Sequence, residues 1–232
     1  MVQTESRSGR LVLVGGGARS GKSRFALERA RELGRRRVFV ATGEALDQEM
    51  AARIERHRLD RGTDFRTIEE PARLPEVLDR LWAGVPLAAT ASPGVAGGDA
   101  GDPVESAGGA LVVLVDCLTL WVSNLLTRSA AAGEIHDHFD DHFDDHFDRL
   151  ELALERRRGH VVLVTNEVGM GLVPDTPLGR AFRDAIGELH QRLASRADEI
   201  HVALLGTVLR LAPGPIEVVP LRSPGSGSRP AA

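Results

Sequence analysis

The chain has 232 residues, in which 29 lysines and arginines stand against 33 acidic residues, for a formal net charge of −4. With 42% hydrophobic residues it is long enough to bury one sizeable core. The slightly acidic net charge argues against a protein that coats nucleic acid non-specifically, since such binding needs clustered positive charge. Cys117 is the only cysteine, which excludes an intrachain disulfide and a cysteine-rich zinc site.

No apolar run reaches the ~18–20 residues of a membrane span. Residues 1–10 are polar and lack the apolar segment of a signal peptide. We therefore expect a cytoplasmic protein without a membrane span. Lys22 is the only lysine, and the other 28 basic residues are arginines. The codon bias of a GC-rich genome accounts for the arginines, and the single exception directs attention to its surroundings.

Short apolar, β-branched runs predict strands, and stretches with helical spacing between them predict helices. The predicted strands are 11–14, 38–41, 111–115, 161–165, 200–205 and 216–219. The helices with the clearest spacing are 23–34, 47–61 and 178–197. Continuous apolar strands that alternate with helices indicate an α/β fold whose sheet is buried on both faces. We expect a single domain over residues 1–222.

Two segments lack the composition of a folded core. Residues 84–110 are rich in glycine, alanine, proline and serine, which predicts a flexible loop inserted into the domain. The tail, residues 223–232, has a similar composition and is predicted to be disordered.

A repeat of period four, HDHFDDHFDDHFD, occupies residues 136–148 and reads as a second insertion. Its histidines lie one helical turn apart at His138, His142 and His146, a spacing that could hold a transition metal. Apolar residues continue the same period as a stripe through Phe139, Phe143, Phe147, Leu150 and Leu154. The stripe favours an amphipathic helix docked on the sheet, because metal binding does not explain the phenylalanines.

The most informative motif follows the first predicted strand. The sequence GGARSGKS fits the phosphate-binding pattern G-x-x-x-x-G-K-[ST], set between a strand and a helix as that pattern requires. Its members are Gly16, Gly17, Ala18, Arg19, Ser20, Gly21, Lys22 and Ser23. In such loops backbone N–H groups surround the phosphates, the lysine reaches the β- and γ-oxygens, and the hydroxyl ligates Mg²⁺. This motif predicts a P-loop NTPase fold of the RecA-like kind, with three layers and a mostly parallel central sheet.

A P-loop site also needs a carboxylate on the metal side, at the end of another buried strand. Asp116 ends the strand LVVLVD and fits this role, although it could instead cap the helix that follows. The metal ligands are therefore predicted to be Ser23 and Asp116. The pattern does not favour a signalling GTPase, since the N-K-x-D guanine reader of such proteins needs a second lysine, and the chain has none.

A cationic row is predicted on the helix over 47–61. Arg53, His57 and Arg61 lie at i, i+4 and i+8, with Arg58 beside them. Such a row suits a polyphosphate, and the imidazole could serve as a nucleophile or proton carrier. A solvated basic face, with arginines paired to Glu49 and Glu55, is equally compatible with the spacing.

Asn166 and Glu167 follow a predicted strand, at the edge where open α/β sheets bind ligands. Glu167 either contributes to that crevice or caps the next turn. Trp82 and Trp121 lie in apolar helical contexts and are predicted to belong to the core, and Cys117 is predicted to be buried.

Six segments taken in order carry a more specific resemblance. They are GGARSGKS, ATGEALDQEMAARIERHR, FRTIEEP, VDCLTLWVSNLL, VTNEVGMGLVP and FRDAIGELHQRLA. Together they resemble the bifunctional adenosylcobinamide kinase / adenosylcobinamide-phosphate guanylyltransferase family of cobalamin biosynthesis, over about residues 11–205.

The resemblance implies roles for individual residues. His57 would be the histidine that becomes guanylylated, and Lys22 would be catalytic in phosphoryl transfer. The implied nucleotide-binding residues are those of the loop from Gly16 to Ser23, together with Ala41, Thr42, Gly43, Arg58, Leu59, Asp60, Arg61, Glu69 and Asp116.

The implied activity has two steps, with GTP and ATP as co-substrates and Mg²⁺ as cofactor. Adenosylcobinamide is phosphorylated, and GMP then passes from GTP through the histidine to adenosylcobinamide phosphate, giving adenosylcobinamide-GDP. The resemblance also implies a homo-oligomer, a trimer, and no nucleic-acid partner. The alternative is a P-loop small-molecule kinase without guanylyl transfer.

Overall fold

The computed structural model describes residues 9–85, 108–132 and 139–219, without the side chains of residues 132 and 139–142. The described strands are β1 (Leu11–Gly16), β2 (Arg36–Ala41), β3 (Arg66–Glu69), β4 (Leu111–Asp116), β5 (His160–Val164), β6 (Glu199–Leu204), β7 (Thr207–Ala212) and β8 (Glu217–Val219). The described helices are α1 (Lys22–Leu33), α2 (Gln48–Arg61), α3 (Leu74–Trp82), α4 (Leu118–Ala132), α5 (Phe139–Glu155) and α6 (Pro177–Ala194).

The eight strands form one sheet in the order β3-β2-β4-β5-β1-β6-β7-β8. Strands β1 to β6 run parallel, and only β7 and β8 join antiparallel at one edge. The strand that carries the glycine loop, β1, is thus separated by β5 from β4, which ends in Asp116. This mostly parallel sheet confirms the RecA-like P-loop fold predicted from the sequence.

Two apolar layers cover the sheet, because its central strands expose side chains alternately to both faces. On one face α1 packs through Phe25 and Leu27 against residues such as Val12 of β1. On the other face α3 to α6 pack over Leu13 and its neighbours. Trp82 and Trp121 are buried in this second layer, and Cys117 is buried on the first, as the sequence predicted.

Helix α2 belongs to neither layer. Its N-terminus is capped by Asp47, whose side chain accepts a hydrogen bond from the Met50 N–H at 2.7 Å. Arg61 is its only buried residue. The helix therefore covers the carboxyl edge of the sheet with side chains that are mostly polar, and it contributes little to the core.

The structure confirms the apolar stripe within the described part of the repeat. Phe143, Phe147, Leu150 and Leu154 are all buried, and Phe147 packs against Trp121 with ring centroids 6.2 Å apart. The side chains of His138, Phe139 and His142 lie outside the described residues, so the metal interpretation stays a prediction. Residues 86–107 of the predicted loop and the tail 223–232 also lie outside them.

The sequence analysis missed two strands, β3 and β7. Strand β3 has only four residues, RTIE, of which Ile68 alone is buried. Strand β7 is half exposed, since it pairs with the short edge strand β8. Neither has the continuous apolar run that marks the central strands.

Across the described ranges, no helix is long and apolar enough to cross a membrane.

Candidate functional site

The glycine loop (residues 16–23) connects β1 to α1 through two positions that require glycine. Gly16 has a φ of +148°, and a Cβ atom there would lie 2.6 Å from the Ala203 carbonyl oxygen on β6. Gly21 has a φ of +92° and is followed directly by α1. Because no side chain caps the first turn of α1, its N–H groups and the positive end of its dipole are directed at the space above the loop.

Lys22 is the first residue of α1 and is only 5% exposed. Its ammonium donates a hydrogen bond to the Gly17 carbonyl oxygen at 3.2 Å, inside the loop. Burial lowers the pKa of Lys22, and the negative charge of Asp116 partly opposes that shift. Within the described residues no carboxylate forms an ion pair with Lys22, so its charge is directed to the space that a phosphate would fill.

One pocket lies above the loop and is lined by residues of α1, β2, α2, β4 and α4, together with the segments that follow β2, β4 and β5. Lys22 and Ser23 come from α1, Asp116 from the end of β4, and His57 and Arg61 from α2. The remaining lining residues are Phe39, Ala41, Gly43, Met50, Arg53, Ile54, Cys117, Leu120 and Asn166. The pocket therefore combines the P-loop residues with the α2 row that the sequence proposed separately.

The α2 row faces this pocket because Arg53, His57 and Arg61 share one side of the helix. The Arg61 guanidinium lies 4.0 Å above the Phe39 ring centroid, an arrangement that holds it against the end of β2. Burial lowers the pKa of Arg61, while the charge of Asp116 raises it. Arg58 lies outside the pocket lining and pairs with Glu55 at 3.6 Å, so the solvated-face interpretation holds for this one arginine.

The segment after β2 is fixed by hydrogen bonds to β4 and α4. Thr42 is fully buried, and its hydroxyl donates to the Cys117 carbonyl at 2.7 Å and accepts from the Cys117 N–H at 2.8 Å. The Asn124 amide on α4 donates to the carbonyls of Thr42 and Pro71, at 2.7 and 3.0 Å. These contacts keep Ala41 and Gly43 at the pocket wall while the Thr42 side chain itself faces away into the protein.

Many of the predicted nucleotide-binding residues do not line this pocket. They are the loop residues Gly16, Gly17, Ala18, Arg19, Ser20 and Gly21, together with Thr42, Arg58, Leu59, Asp60 and Glu69. Leu59 and Asp60 lie on the exposed side of α2. Glu69 ends β3, is exposed, and acts on the site only through its charge, which raises the pKa of the Arg61 guanidinium. Sequence spacing could not show that Leu59 and Asp60 face away from the pocket, because α2 has no buried apolar stripe that would predict its orientation.

The pocket also contains residues that the sequence analysis did not assign to it. Met50, Ile54 and Leu120 supply an apolar wall, and Phe39 supports Arg61. Burial raises the pKa of the Cys117 thiol to about 11, which keeps it protonated and inert near neutral pH.

Glu167 lies beside the pocket lining. Its carboxylate accepts the Gly169 N–H at 2.8 Å, as a turn-capping residue does. A second carboxylate oxygen lies 3.6 Å from His190 Nδ1. Burial lowers the pKa of His190. The turn-capping interpretation of Glu167 is the one that the geometry supports.

The profile of the cobinamide kinase / cobinamide phosphate guanyltransferase family matches residues 12–86 and 101–211 of this chain. The bifunctional adenosylcobalamin biosynthesis protein CobU of Escherichia coli is 36% identical over 206 residues, covering 87% of this chain and 99% of the relative. The protein of the same name from Salmonella typhimurium is 37% identical over 210 residues, with the same two coverages. The chain belongs to this family.

Among solved structures, a prototypical ATPase from the type III secretion system of pathogenic bacteria matches 84% of this chain and 51% of its own length, with 12% identity and a TM-score of 0.45. This likeness is distant, and the fold assignment rests on the strand order and the loop. Membership of the cobinamide kinase / guanyltransferase family makes the chain a bifunctional enzyme of cobalamin biosynthesis.

The residues of this family member fit a magnesium ion bound together with nucleotide phosphates. Mg²⁺ usually takes one or two oxygen ligands from a protein and completes its shell with phosphates and water. Ser23 and Asp116 are such oxygen donors and lie in the same pocket. Within the described residues there is no cluster of three His, Cys, Asp or Glu side chains that could hold a metal without the nucleotide.

Proposed function

We propose that the enzyme phosphorylates adenosylcobinamide and then transfers GMP to the product through a covalent intermediate on His57. The observation that carries the proposal is that the P-loop lysine and the α2 histidine line the same pocket. Both reactions act on a nucleoside triphosphate, and both need cations around its phosphates. Lys22, Arg53 and Arg61 supply those cations.

In the first step the hydroxyl oxygen of adenosylcobinamide bonds to the γ-phosphorus, and the bond from that phosphorus to the β–γ bridging oxygen breaks. The nucleoside diphosphate leaves with the electron pair, and the hydroxyl proton passes to solvent. Positioning and charge stabilisation account for most of catalysis in such transfers. Here the loop amides and Lys22 hold the phosphates, and Ser23 and Asp116 would hold Mg²⁺, which supplies further neutralisation of charge.

In the second step the unprotonated imidazole nitrogen of His57 attacks the α-phosphorus of GTP. An N–P bond forms, the bond to the bridging oxygen breaks, and pyrophosphate leaves. The phosphate oxygen of adenosylcobinamide phosphate then attacks the same phosphorus, and the imidazole leaves as it regains a proton. Imidazole suits both the formation and the breakdown of the N–P bond, because it is nucleophilic when neutral near pH 7 and is a good leaving group when protonated.

The position of His57 supports this role. It is half-buried at the mouth of the pocket, one helical turn from Arg53 and from Arg61. These arginines would balance the charge of the triphosphate as the pyrophosphate leaves. Family resemblance further supports a homotrimer, which light scattering on the purified protein tests directly.

The test is intact-mass spectrometry after incubation with GTP and Mg²⁺. We expect one GMP adduct on the wild type that is lost in acid, and no adduct on His57→Ala or His57→Asn. Kinase turnover with adenosylcobinamide should stay within about threefold of the wild type in both variants, since phosphoryl transfer does not use the imidazole.

Arg56→Ala provides the matched control, because Arg56 neighbours His57 on the exposed side of α2. Its adduct should form as in the wild type. An acid-labile GMP adduct that persists on His57→Ala would overturn the assignment of the nucleophile.

A further inference from the structure

His190 lies on α6, outside the pocket lining, and takes no part in the reaction steps proposed above. Its side chain is only 17% exposed, and both ring nitrogens face polar groups. Nε2 lies 2.7 Å from the Thr165 hydroxyl, and Nδ1 lies 3.6 Å from the Glu167 carboxylate. These two residues flank Asn166, which lines the pocket. His190 therefore contacts both chain neighbours of a pocket residue.

On the Nε2 side, a chain of hydroxyl groups leads from His190 to the backbone of Asn166. The Thr165 hydroxyl lies 3.2 Å from that of Thr119, and both threonines are buried. Thr119 belongs to the first turn of α4, and its hydroxyl accepts a hydrogen bond from the Asn166 N–H at 2.7 Å. The chain thus joins α6, the end of β5 and α4.

On the Nδ1 side, Glu167 connects the ring to the glycine loop. One carboxylate oxygen faces Nδ1, and the other accepts the Gly169 N–H at 2.8 Å. The Glu167 backbone N–H donates to the carbonyl of Gly16, the first residue of the phosphate-binding motif, at 3.1 Å. Residues 165–167 form what we call the strand-end segment. Because β5 lies between β1 and β4 in the sheet, this segment lies between the glycine loop and Asp116.

The partners of the two nitrogens select one form of the His190 ring. A carboxylate only accepts hydrogen bonds, so Glu167 favours a hydrogen on the nitrogen that faces it, Nδ1. Burial lowers the pKa of His190, and the charge of Glu167 opposes that shift. In the neutral ring with its hydrogen on Nδ1, Nε2 accepts the Thr165 hydroxyl. Thr165 can then accept from Thr119, so that every link of the chain pairs one donor with one acceptor.

We propose that His190 is a positioning residue for phosphoryl transfer, which as the neutral Nδ1–H form accepts the Thr165 hydroxyl and holds the strand-end segment in place. This inference rests on the proposed kinase function and deepens it. His190 does not line the pocket and acts through the segment. Without its contact the pocket wall beside the glycine loop can shift, and a displacement of about 1 Å is enough to slow a transfer that depends on alignment.

His190→Ala and His190→Gln test the proposal in the full-length enzyme with adenosylcobinamide as acceptor. Alanine removes the hydrogen-bond acceptor, and we expect kcat for phosphoryl transfer to fall by about tenfold. Glutamine places an amide oxygen near the position of Nε2, so its kcat should stay within about threefold of the wild type. The KM values for the nucleoside triphosphate and for adenosylcobinamide should stay within about twofold in both variants, because the residues that line the pocket are unchanged.

Thr165→Val breaks the same chain at its next link, with a side chain of similar shape and no hydroxyl. Its kcat should also fall by about tenfold. Because both changes interrupt one chain, the double variant Thr165→Val/His190→Ala should have a kcat within about twofold of either single variant. Gln191→Ala is the matched control, since Gln191 neighbours His190 on the exposed side of α6. Its kcat should equal that of the wild type.

Nitrogen NMR of isotope-labelled imidazole rings measures the form of the ring directly. The signals that disappear in His190→Gln identify this histidine, and near pH 7 we expect its hydrogen on Nδ1. A residue that only fills space would not need this form. Thermal unfolding of each variant verifies that the fold is retained.

Three results would overturn the proposal. One is a folded His190→Ala enzyme with unchanged kcat, another is a double variant whose loss is the product of the two single losses, and the third is a His190 ring with its hydrogen on Nε2. If His190→Ala is unfolded, Thr165→Val decides, since an unchanged kcat there counts against the proposal and a tenfold loss supports it. A wild type that does not phosphorylate adenosylcobinamide would instead refute the proposed function, a result distinct from these three.

Discussion

Lys22 and Glu199 are two buried charges at opposite edges of the same sheet, and they are held in different ways. Glu199 begins β6 at the amino edge, and its carboxylate receives the guanidinium groups of Arg10 and Arg29, both at 2.6 Å. Lys22 lies at the carboxyl edge, and its one described hydrogen bond goes to a backbone carbonyl.

The pKa directions agree with this difference. Hydrogen bonds from His201, Arg29 and Arg10 outweigh burial and hold the pKa of Glu199 well below its usual range. At Lys22 burial dominates, and the pKa of the ammonium falls. At the amino edge, the ion pair of Glu199 with Arg29 joins β6 to α1. At the carboxyl edge, Lys22 has no ion-pair partner among the described residues and is available to a bound anion.

For activity, we expect a large effect from Lys22→Arg. The guanidinium is broad and planar and does not fit a loop that encloses a compact ammonium. We expect kcat for phosphoryl transfer to fall by at least about a hundredfold, as when one donor to a developing charge is removed. Steady-state kinetics with adenosylcobinamide measures it. Near-normal turnover would show that the lone lysine has no special role.

Arg24→Lys is the matched control for this change, because Arg24 is exposed on the first turn of the same helix. It exchanges the same two residue types in the opposite direction and should leave kcat unaltered. A comparable loss in this control would attribute the effect to α1 as a whole.

For stability, we expect the largest effect from Glu199→Gln. Removing one partner from a buried charge cluster costs about 3 kcal/mol in the free energy of unfolding. Kinase turnover should remain within about twofold of the wild type, because the cluster lies at the far edge of the sheet. Urea unfolding followed by circular dichroism measures the loss. Glu217→Gln, whose ion pair with Arg210 is more exposed, should lose less than about 1 kcal/mol.

The same variant gives a pH test of the cluster. The pKa of Glu199 is lowered from 4.5, so its contribution to stability is present above that pH and is lost as the pH falls through the lowered value. The difference in stability between the wild type and Glu199→Gln should therefore shrink steadily below about pH 4.5. A difference that stays constant down to about pH 3 would contradict the lowered pKa.

On stability alone, Lys22→Met should give a small effect, opposite in sign to that of Glu199→Gln. It removes a buried cation without an acidic partner, so the free energy of unfolding should rise by about 1 kcal/mol while kinase turnover is lost. Because the pKa of Lys22 is lowered from 10.5, the charged form destabilises the folded state below that pH. The gain should therefore diminish as the pH approaches 10.5, and a destabilised variant would mean that Lys22 supports the fold.

Local patterns in the sequence were enough to predict the central strands and the glycine loop. Continuous apolar runs mark the central strands, and Gly16 and Gly21 are required by backbone conformations that the motif already implies. The row of Arg53, His57 and Arg61 also followed from helical spacing alone. What spacing left open was which side of α2 faces the pocket, and the packing of Arg61 on Phe39 decides that in the folded chain.

Local patterns do not predict which groups meet in the pocket, because those contacts join distant parts of the chain. Glu167 and Gly16 are far apart in the sequence, and their backbones are hydrogen-bonded because β5 pairs with β1 in the sheet. Glu69 and Thr42 both belonged to the predicted nucleotide site, and neither lines the pocket. Glu69 is exposed to solvent, whereas the Thr42 side chain is buried inside the protein. Hydrogen-bond satisfaction depends on every neighbour of an atom, and most of those neighbours come from distant parts of the chain.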